Sequence, residues 1–271
     1  LGGCLAFEFS SGLKRIIVNC GVSSRSNEMW RKVSRSTAAH STATIEDTSS
    51  CRFLSERPFG RWLGAPIIAG PKHVQVERED DAAGSRVTAS HDGYQQQFGI
   101  VHARDIRLSG DGTVLDGIDS FPVGARVDEP GDQFAIRFHL HPAIKPSLLR
   151  GGTAVLLVCR DGEAWEFDAP GTELVLEESI YLSDVYGHRK TMQIVLYGRI
   201  RDSQSSAWQF RRTATAKLSR RGSSEFDELA RTAELPLVDP DEDAPSEFDP
   251  EIDEAIDEDG QELAPDVDPK A

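Results

Sequence analysis

The sequence has little cysteine and no motif that would build the chain around a metal or a disulfide framework. Its four cysteines, Cys4, Cys20, Cys51 and Cys159, are scattered over 271 residues, and no CxxC pair occurs. Disulfide scaffolds and structural zinc sites space their cysteines closely, so both are excluded as the organising principle of this fold. Cys4 and Cys20 could face each other across a hairpin, but small buried apolar thiols are the simpler interpretation.

Several signals of other protein classes are also missing. No apolar run approaches the length of a membrane span, and no charged segment precedes an apolar one, so we expect neither membrane insertion nor a signal peptide in this chain. No nucleophile elbow or Walker loop occurs, and Gly110-Asp111-Gly112 lacks the strand and helix context of a dinucleotide fingerprint. Acidic residues are too abundant for a pair of glycosidase carboxylates to stand out.

Charge is divided unevenly along the chain. From Arg221 to the C-terminus there are 19 acidic residues against three basic ones, whereas residues 1–220 hold 26 acidic and 27 basic residues. The first part is therefore nearly neutral, which excludes a nucleic-acid partner but allows a polyanionic sugar if bases cluster locally. Residues 219–271 have few apolar side chains, and we predict a disordered acidic tail there.

Short alternating segments separated by turn residues predict an all-β fold. Leu5, Phe7 and Phe9 alternate ahead of a Gly-containing turn and a β-branched run, which predicts an opening hairpin. We expect an antiparallel β-sandwich of the supersandwich type over residues 1–218, with a long ordered loop at 52–71 that contains Trp62. The further predicted strands are 37–46, 73–79, 85–90, 100–108, 112–119, 134–140, 153–159, 163–167, 173–181, 192–200 and 207–212. The first of all these strands begins almost at Leu1, so we expect native sequence upstream.

Histidines offer the main candidates for chemistry. His40 lies among hydroxyl residues, where it is either a ligand for a metal or sugar or a sheet histidine that its neighbours satisfy. His139 and His141 are two apart on a predicted strand and share a face, which suits a metal, but no third ligand is near in sequence. His91-Asp92-Gly93-Tyr94 is typical of a turn, with ligand contact as the alternative, and His102 and His188 carry no specific signal.

Four segments together carry a family resemblance. The stretch from Arg35 to Thr42 reads Arg-Ser-Thr-Ala-Ala-His-Ser-Thr, and it follows the predicted hairpin 5–21. Further on come Phe134 to Pro142 and the pair of strands at 176–196. In this order the segments resemble the β-domain that follows the helical toroid of heparinase II/III-like polysaccharide lyases. The similarity covers roughly residues 3–212.

The resemblance implies β-elimination on a uronic-acid polysaccharide. Such chemistry needs a group that neutralises the uronate carboxylate, a base for the C5 proton and an acid, usually tyrosine, for the departing oxygen. In the family the toroid supplies the tyrosine, and the β-domain supplies a His-x-His segment and metal ligands. By the same resemblance we expect an acidic polysaccharide as partner, zinc or another divalent metal in a complete family member, and a location in the cell envelope or periplasm.

The chain departs from this pattern at its site. Leu1-Gly2-Gly3 stands where the family has His-x-His, and Asn19 replaces the frequent metal-binding aspartate. His40 is the one clear counterpart in the metal set, so we expect no tightly bound metal, and we take His40 and Arg35 as cleft-lining candidates without a confident catalytic residue. We therefore interpret the chain as the β-domain of a lyase that is incomplete for catalysis, with a non-catalytic glycan-binding or assembly module as the alternative. The sequence indicates neither the polysaccharide nor the oligomeric state.

Overall fold

The structure, a computed structural model, describes residues 2–22, 28–54, 66–124, 131–184 and 187–213. Within these ranges the chain forms two antiparallel sheets, a small two-stranded sheet and a few short helices. The predicted antiparallel β-sandwich is confirmed. The predicted tail and Trp62 lie outside the described residues. None of the helices in the described ranges is both long and apolar enough to cross a membrane.

The helices are α1 (Glu28–Val33) and α2 (Gln95–Phe98), and Thr37–Ala39 and Arg150–Gly152 form 3₁₀ turns. The strands are β1 (Phe9–Ser11), β2 (Lys14–Val18), β3 (Ala43–Ile45), β4 (Arg52–Phe53), β5 (Ile67–Ala69), β6 (Val74–Asp81), β7 (Gly84–His91), β8 (His102–Ser109), β9 (Val114–Ser120), β10 (Gln133–Leu140), β11 (Lys145–Leu149), β12 (Ala154–Val158), β13 (Ala164–Asp168), β14 (Glu173–Tyr181), β15 (Arg189–Arg199) and β16 (Ser205–Thr213).

The first sheet has the order β1-β2-β10-β15-β14, and β3 pairs with β10 as a sixth strand. The second sheet has eight strands in the order β11-β12-β13-β16-β9-β8-β7-β6. β4 and β5 pair with each other alone. β6 therefore forms one edge of the larger sheet, and all of its residues are exposed.

The core lies between the two sheets and is rich in aromatic side chains. Phe138 on β10 contacts Phe167 and Trp208 from the second sheet, with ring centroids 5.1 and 5.0 Å apart. The strands that carry Trp165 and Trp208 are neighbours, because β13 and β16 pair with Phe167 opposite Phe210. These rings lie on the inward face of each strand, as the two-residue period of a strand requires.

Two predicted strands are shorter than expected. The opening strand begins only at Phe9, because the chain before it bends at Leu5, whose φ of 56° lies in the left-handed region. The predicted strand 37–46 starts with the 3₁₀ turn and is a strand only from Ala43 to Ile45. Small polar residues there bond to backbone groups of other segments, which competes with a sheet ladder.

Candidate functional site

An open depression of about 490 Å³ lies in front of the His40 stretch. It is lined by residues of the N-terminal segment, of the end of β2, and of the chain around β4 to β6: Gly3, Cys4, Ala6, Asn19, His40, Cys51, Pro71 and Val74. Ligand pockets span a few hundred to about a thousand cubic ångströms and combine apolar walls with a few polar groups. The depression fits this description in size and lining.

His40 is the polar centre of the depression and is held in one orientation. Its Nδ1 lies 2.8 Å from the carbonyl oxygen of Ser36, so Nδ1 carries the proton and donates it. In this tautomer Nε2 carries no proton and can accept a hydrogen bond. Burial lowers the pKa of His40, which keeps the ring neutral. A Cβ on Gly3 would lie 2.4 Å from His40 Cδ2, so only glycine lets the N-terminal segment lie against this ring.

Asn19 lines the same depression, but both ends of its amide are engaged. Its Oδ1 accepts a hydrogen bond from the Ser41 backbone N–H at 2.9 Å, and its Nδ2 donates to Glu8 Oε1 at 3.2 Å. The side chain therefore fixes the start of the loop that carries Ser41. An asparagine at this position supplies a donor that an aspartate lacks.

Arg35 contributes mainly through its backbone and its stacking. Its carbonyl oxygen accepts the Gly2 N–H at 2.7 Å, and its guanidinium carbon lies 4.2 Å from the centre of the Phe53 ring. The residue is not among those that line the depression. It stabilises the neighbouring wall through a cation–π contact.

The hydroxyls of the His40 stretch anchor it to other segments. Thr37 donates to the Gly2 carbonyl at 2.7 Å, Ser41 to Val18 at 2.7 Å and Thr42 to the Cys4 carbonyl at 2.8 Å. These bonds fix the N-terminal segment against the stretch. The run of small polar residues thus acts as a set of local connections that shape the depression.

His139 and His141 do not form a metal pair. His139 accepts a hydrogen bond from the Ser179 hydroxyl through Nδ1 at 2.7 Å and donates through Nε2 to the Ala38 carbonyl at 2.9 Å. His141 lies against Tyr181 with ring centroids 5.2 Å apart. Both nitrogens of His139 are engaged, so the alternating spacing reflects packing on the sheet. The turn interpretation of residues 91–94 holds, because the Gln95 backbone N–H donates to the Asp92 carbonyl at 3.0 Å.

A buried ion pair behind the depression has no counterpart in the sequence-based candidates. Arg104 and Asp119 face each other across β8 and β9, and two guanidinium nitrogens contact the carboxylate at 2.8 and 3.0 Å. Arg104 Nη1 also donates to the carbonyls of Leu5 and Ser41, each at 2.8 Å. The pair therefore connects the larger sheet to two of the segments around the depression, the N-terminal segment and the His40 stretch. A charged residue at a core-facing position of a strand was the signal that could have revealed it.

The ion pair continues into a chain of neutral histidines. His91 accepts the Gly93 N–H through Nδ1, so its Nε2 donates to His102 Nδ1 at 3.3 Å. His102 Nε2 in turn donates to Asp119 Oδ1 at 2.6 Å. Burial lowers the pKa of His91 to about 3 and lowers that of His102 as well. Burial alone would raise the pKa of Asp119, but Arg104 and His102 hold it below its usual value.

A family-type metal does not fit the donor atoms that the described residues provide. In the described ranges no group of three His, Cys, Asp or Glu side chains could hold a metal ion. His40 offers one nitrogen, and the amide oxygen of Asn19 already accepts the Ser41 N–H. One neutral nitrogen and an engaged amide are too few for a zinc site, which takes at least three protein ligands.

The fold is that of the β-sandwich domain found in polysaccharide lyases of the heparinase type. The sequence model of the family described as "Heparinase II/III-like, C-terminal" matches residues 2–218. The chain belongs to this family.

Solved structures and a characterised relative are similar to the chain. The heparan sulfate lyase HepC of Pedobacter heparinus, solved as a mutant, superposes with a TM-score of 0.60 at 16% identity over 78% of this chain and 30% of the lyase. Heparinase III gives a TM-score of 0.56 at 12% identity, again over 78% of this chain and 30% of that enzyme. FtsZ-localized protein C of Caulobacter vibrioides (strain NA1000 / CB15N) is 30% identical over 205 residues, which cover 72% of this chain and 34% of the relative. The chain spans about a third of the length of each.

Proposed function

We propose that the chain is the β-domain of a polysaccharide-lyase-type protein and that its depression forms one wall of a cleft for a uronate-containing polysaccharide. The observation that carries the proposal is the fixed tautomer of His40, which presents Nε2 as an acceptor in an open depression. A sugar hydroxyl can donate to this nitrogen, and Ala6, Pro71 and Val74 offer apolar surface to a sugar ring.

The proposed role is binding and positioning, with the remaining groups of β-elimination supplied from outside the depression. All lining residues are uncharged, because the pKa of His40 is lowered by its burial. A uronate carboxylate bound here would need a cation from another part of the full protein, and the leaving oxygen would need a proton donor such as tyrosine. We extend the proposal to a location in the cell envelope, which cell fractionation tests, and to zinc or another divalent metal only in a complete family member.

Binding and turnover measurements with the full chain test this proposal. We expect heparan sulfate or alginate to bind without release of the unsaturated product, which absorbs in the ultraviolet. His40→Ala should weaken binding several-fold, whereas His188→Ala, at a histidine that stacks on Trp30 with centroids 5.2 Å apart, should leave it unchanged. Efficient turnover by this chain alone would contradict the proposal that it is incomplete for catalysis. If His40→Ala binds as tightly as the unaltered chain, His40 has no role in binding.

A second proposal is that the chain is a non-catalytic assembly module that associates with FtsZ. It is favoured by sequence identity, since the relative named FtsZ-localized protein C is 30% identical and the lyase HepC only 16%. The exposed edge strand β6 is a suitable contact surface, because an unpaired edge can add a strand from a partner. Val74 and Val76 on this edge are 52% and 63% exposed.

Sedimentation with FtsZ polymers separates the two proposals. The assembly proposal predicts that the chain pellets with the polymers and that Val76→Lys reduces the pelleted fraction. Leu148→Lys is the matched control, because Leu148 is 52% exposed on β11 at the opposite edge of the same sheet. A chain that stays in the supernatant while it binds glycans would favour the first proposal.

A further inference from the structure

The four cysteines fall into two pairs with different surroundings. Cys20 and Cys159 are each 3% exposed, and burial raises the pKa of each to about 11. Cys4 and Cys51 are half-buried, and both line the depression in front of His40. Reactivity of a thiol follows its access to solvent and its thiolate fraction. The chain therefore carries two inert thiols and two accessible ones, and the accessible pair shares one site.

Hydrogen bonds hold the segments of Cys4 and Cys51 together. The hydroxyl of Ser50, the residue before Cys51, donates to the Gly2 carbonyl at 3.2 Å. Thr37 joins the same two segments, because its hydroxyl donates to the Gly2 carbonyl at 2.7 Å and accepts the Ser50 backbone N–H at 2.9 Å. Burial raises the pKa of Cys4, and the nearby Cys51 thiol raises it further, as expected for two thiols in one small space. All four cysteines are free in the structure.

We propose that Cys4 and Cys51 are a redox-sensitive dithiol, which a small disulfide such as oxidised glutathione converts into an intramolecular disulfide across the depression. The inference does not depend on either function proposed above. It assigns a modification site to Cys4 and Cys51, whose thiols belong neither to the hydrophobic core nor to the buried network around Arg104 and Asp119.

The reaction is an ordinary thiol–disulfide exchange in two steps. Cys51 as thiolate attacks one sulfur of the small disulfide, forms a mixed disulfide and releases one small thiol, which takes up a proton. Cys4 then loses its proton and attacks the Cys51 sulfur, so that the Cys4–Cys51 bond forms and the second small thiol leaves. The protein loses two electrons and two protons, and the small disulfide gains both.

The expected consequence is a fixed and narrower depression. Cys4 follows Gly3, which lies against the His40 ring, and Cys51 lines the same depression from a different segment, together with Pro71. A bridge between the two segments would hold the N-terminal segment on His40 and reduce access to its Nε2. Because it also constrains the unfolded chain, the bridge should raise Tm.

Peptide mapping of the full chain tests the proposal directly. Native protein is incubated with oxidised glutathione, blocked with an alkylating reagent and digested without reduction. We expect a peptide pair linked through Cys4 and Cys51, with Cys20 and Cys159 recovered as alkylated thiols after unfolding. We also expect a several-fold slower modification of His40 by diethyl pyrocarbonate in the oxidised protein, restored by dithiothreitol.

The variants sharpen the assignment. Cys4→Ser should leave a single glutathione adduct on Cys51, and Cys159→Ser should still give the linked pair. Separate glutathione adducts on Cys4 and Cys51 in the unaltered chain, or a link that involves Cys20 or Cys159, would overturn the proposal. The result on the unaltered chain does not depend on whether any variant folds.

Discussion

The buried network around Asp119 and the open depression around His40 use similar residue types for opposite purposes. In the network, charged and imidazole groups are fully enclosed, and Asp119 bonds to Arg104, His102 and the indole of Trp208. In the depression the polar atoms are few and neutral, and His40 at its centre is 7% exposed. The enclosed cluster of titratable groups therefore serves the structure, whereas the depression keeps His40 Nε2 as a hydrogen-bond acceptor.

The largest effect should follow from breaking the network at its carboxylate. Asp119→Asn removes the charge that balances Arg104, which is 3% exposed. An unpaired buried guanidinium costs about 3–5 kcal/mol of unfolding free energy, measurable by urea denaturation. Asp105→Asn is the matched control, because Asp105 pairs with the half-exposed Arg86 on the outer face. This variant should lose far less unfolding free energy. Equal losses in the two variants would contradict the structural role of Asp119.

Acid should destabilise the protein through its buried histidines. Burial lowers the pKa of His91 to about 3 and that of His139 to about 4, against 6.5 for an exposed group. Below pH 6.5 the unfolded chain binds protons that the folded chain does not, so stability falls with falling pH and is unaffected by these groups above 6.5. Each histidine contributes a slope of up to about 1.4 kcal/mol per pH unit.

Urea denaturation between pH 7 and pH 5 measures this slope. His91→Gln should reduce the slope of unfolding free energy against pH by the contribution of one titrating group, because glutamine does not titrate. A slope that is the same in this variant and in the unaltered chain would show that His91 is not held neutral by the fold.

Much of the sandwich could be predicted because its signals are local. The alternation of Phe134, Ile136 and Phe138 and the turn residues between strands need only neighbouring sequence. β8 and β9 form a local hairpin, but the contacts of Arg104 with the carbonyls of Leu5 and Ser41 join segments that are far apart in the sequence, so the buried network was not predicted. His40 stands out by its motif, whereas Cys51, which lines the same depression, belongs to another segment that no local pattern marks.

A smaller effect is expected from crowding the depression at Gly3. Gly3→Ala places a Cβ 2.4 Å from His40 Cδ2, so the N-terminal segment or the ring must shift. Overpacking of this kind costs about 1–3 kcal/mol, which thermal unfolding would reveal. Gly124→Ala is the control, since its Cβ would meet its nearest atoms at an ordinary 3.5 Å. If Gly3→Ala is as stable as the control, the ring is not held by this segment.

The smallest effect concerns Asn19, at the position where the resemblance predicts an aspartate. Asn19→Asp replaces the amide donor that faces Glu8 Oε1 at 3.2 Å with a second carboxylate. Loss of one hydrogen bond and the new repulsion should cost about 1 kcal/mol of unfolding free energy. The double variant Glu8→Gln with Asn19→Asp should recover most of the loss, because the glutamine amide can donate to the new carboxylate.

The same double-mutant cycle, repeated with added zinc, tests whether the depression binds a metal. We expect no zinc-dependent rise in Tm for any member, because His40 Nε2 and one carboxylate remain too few ligands.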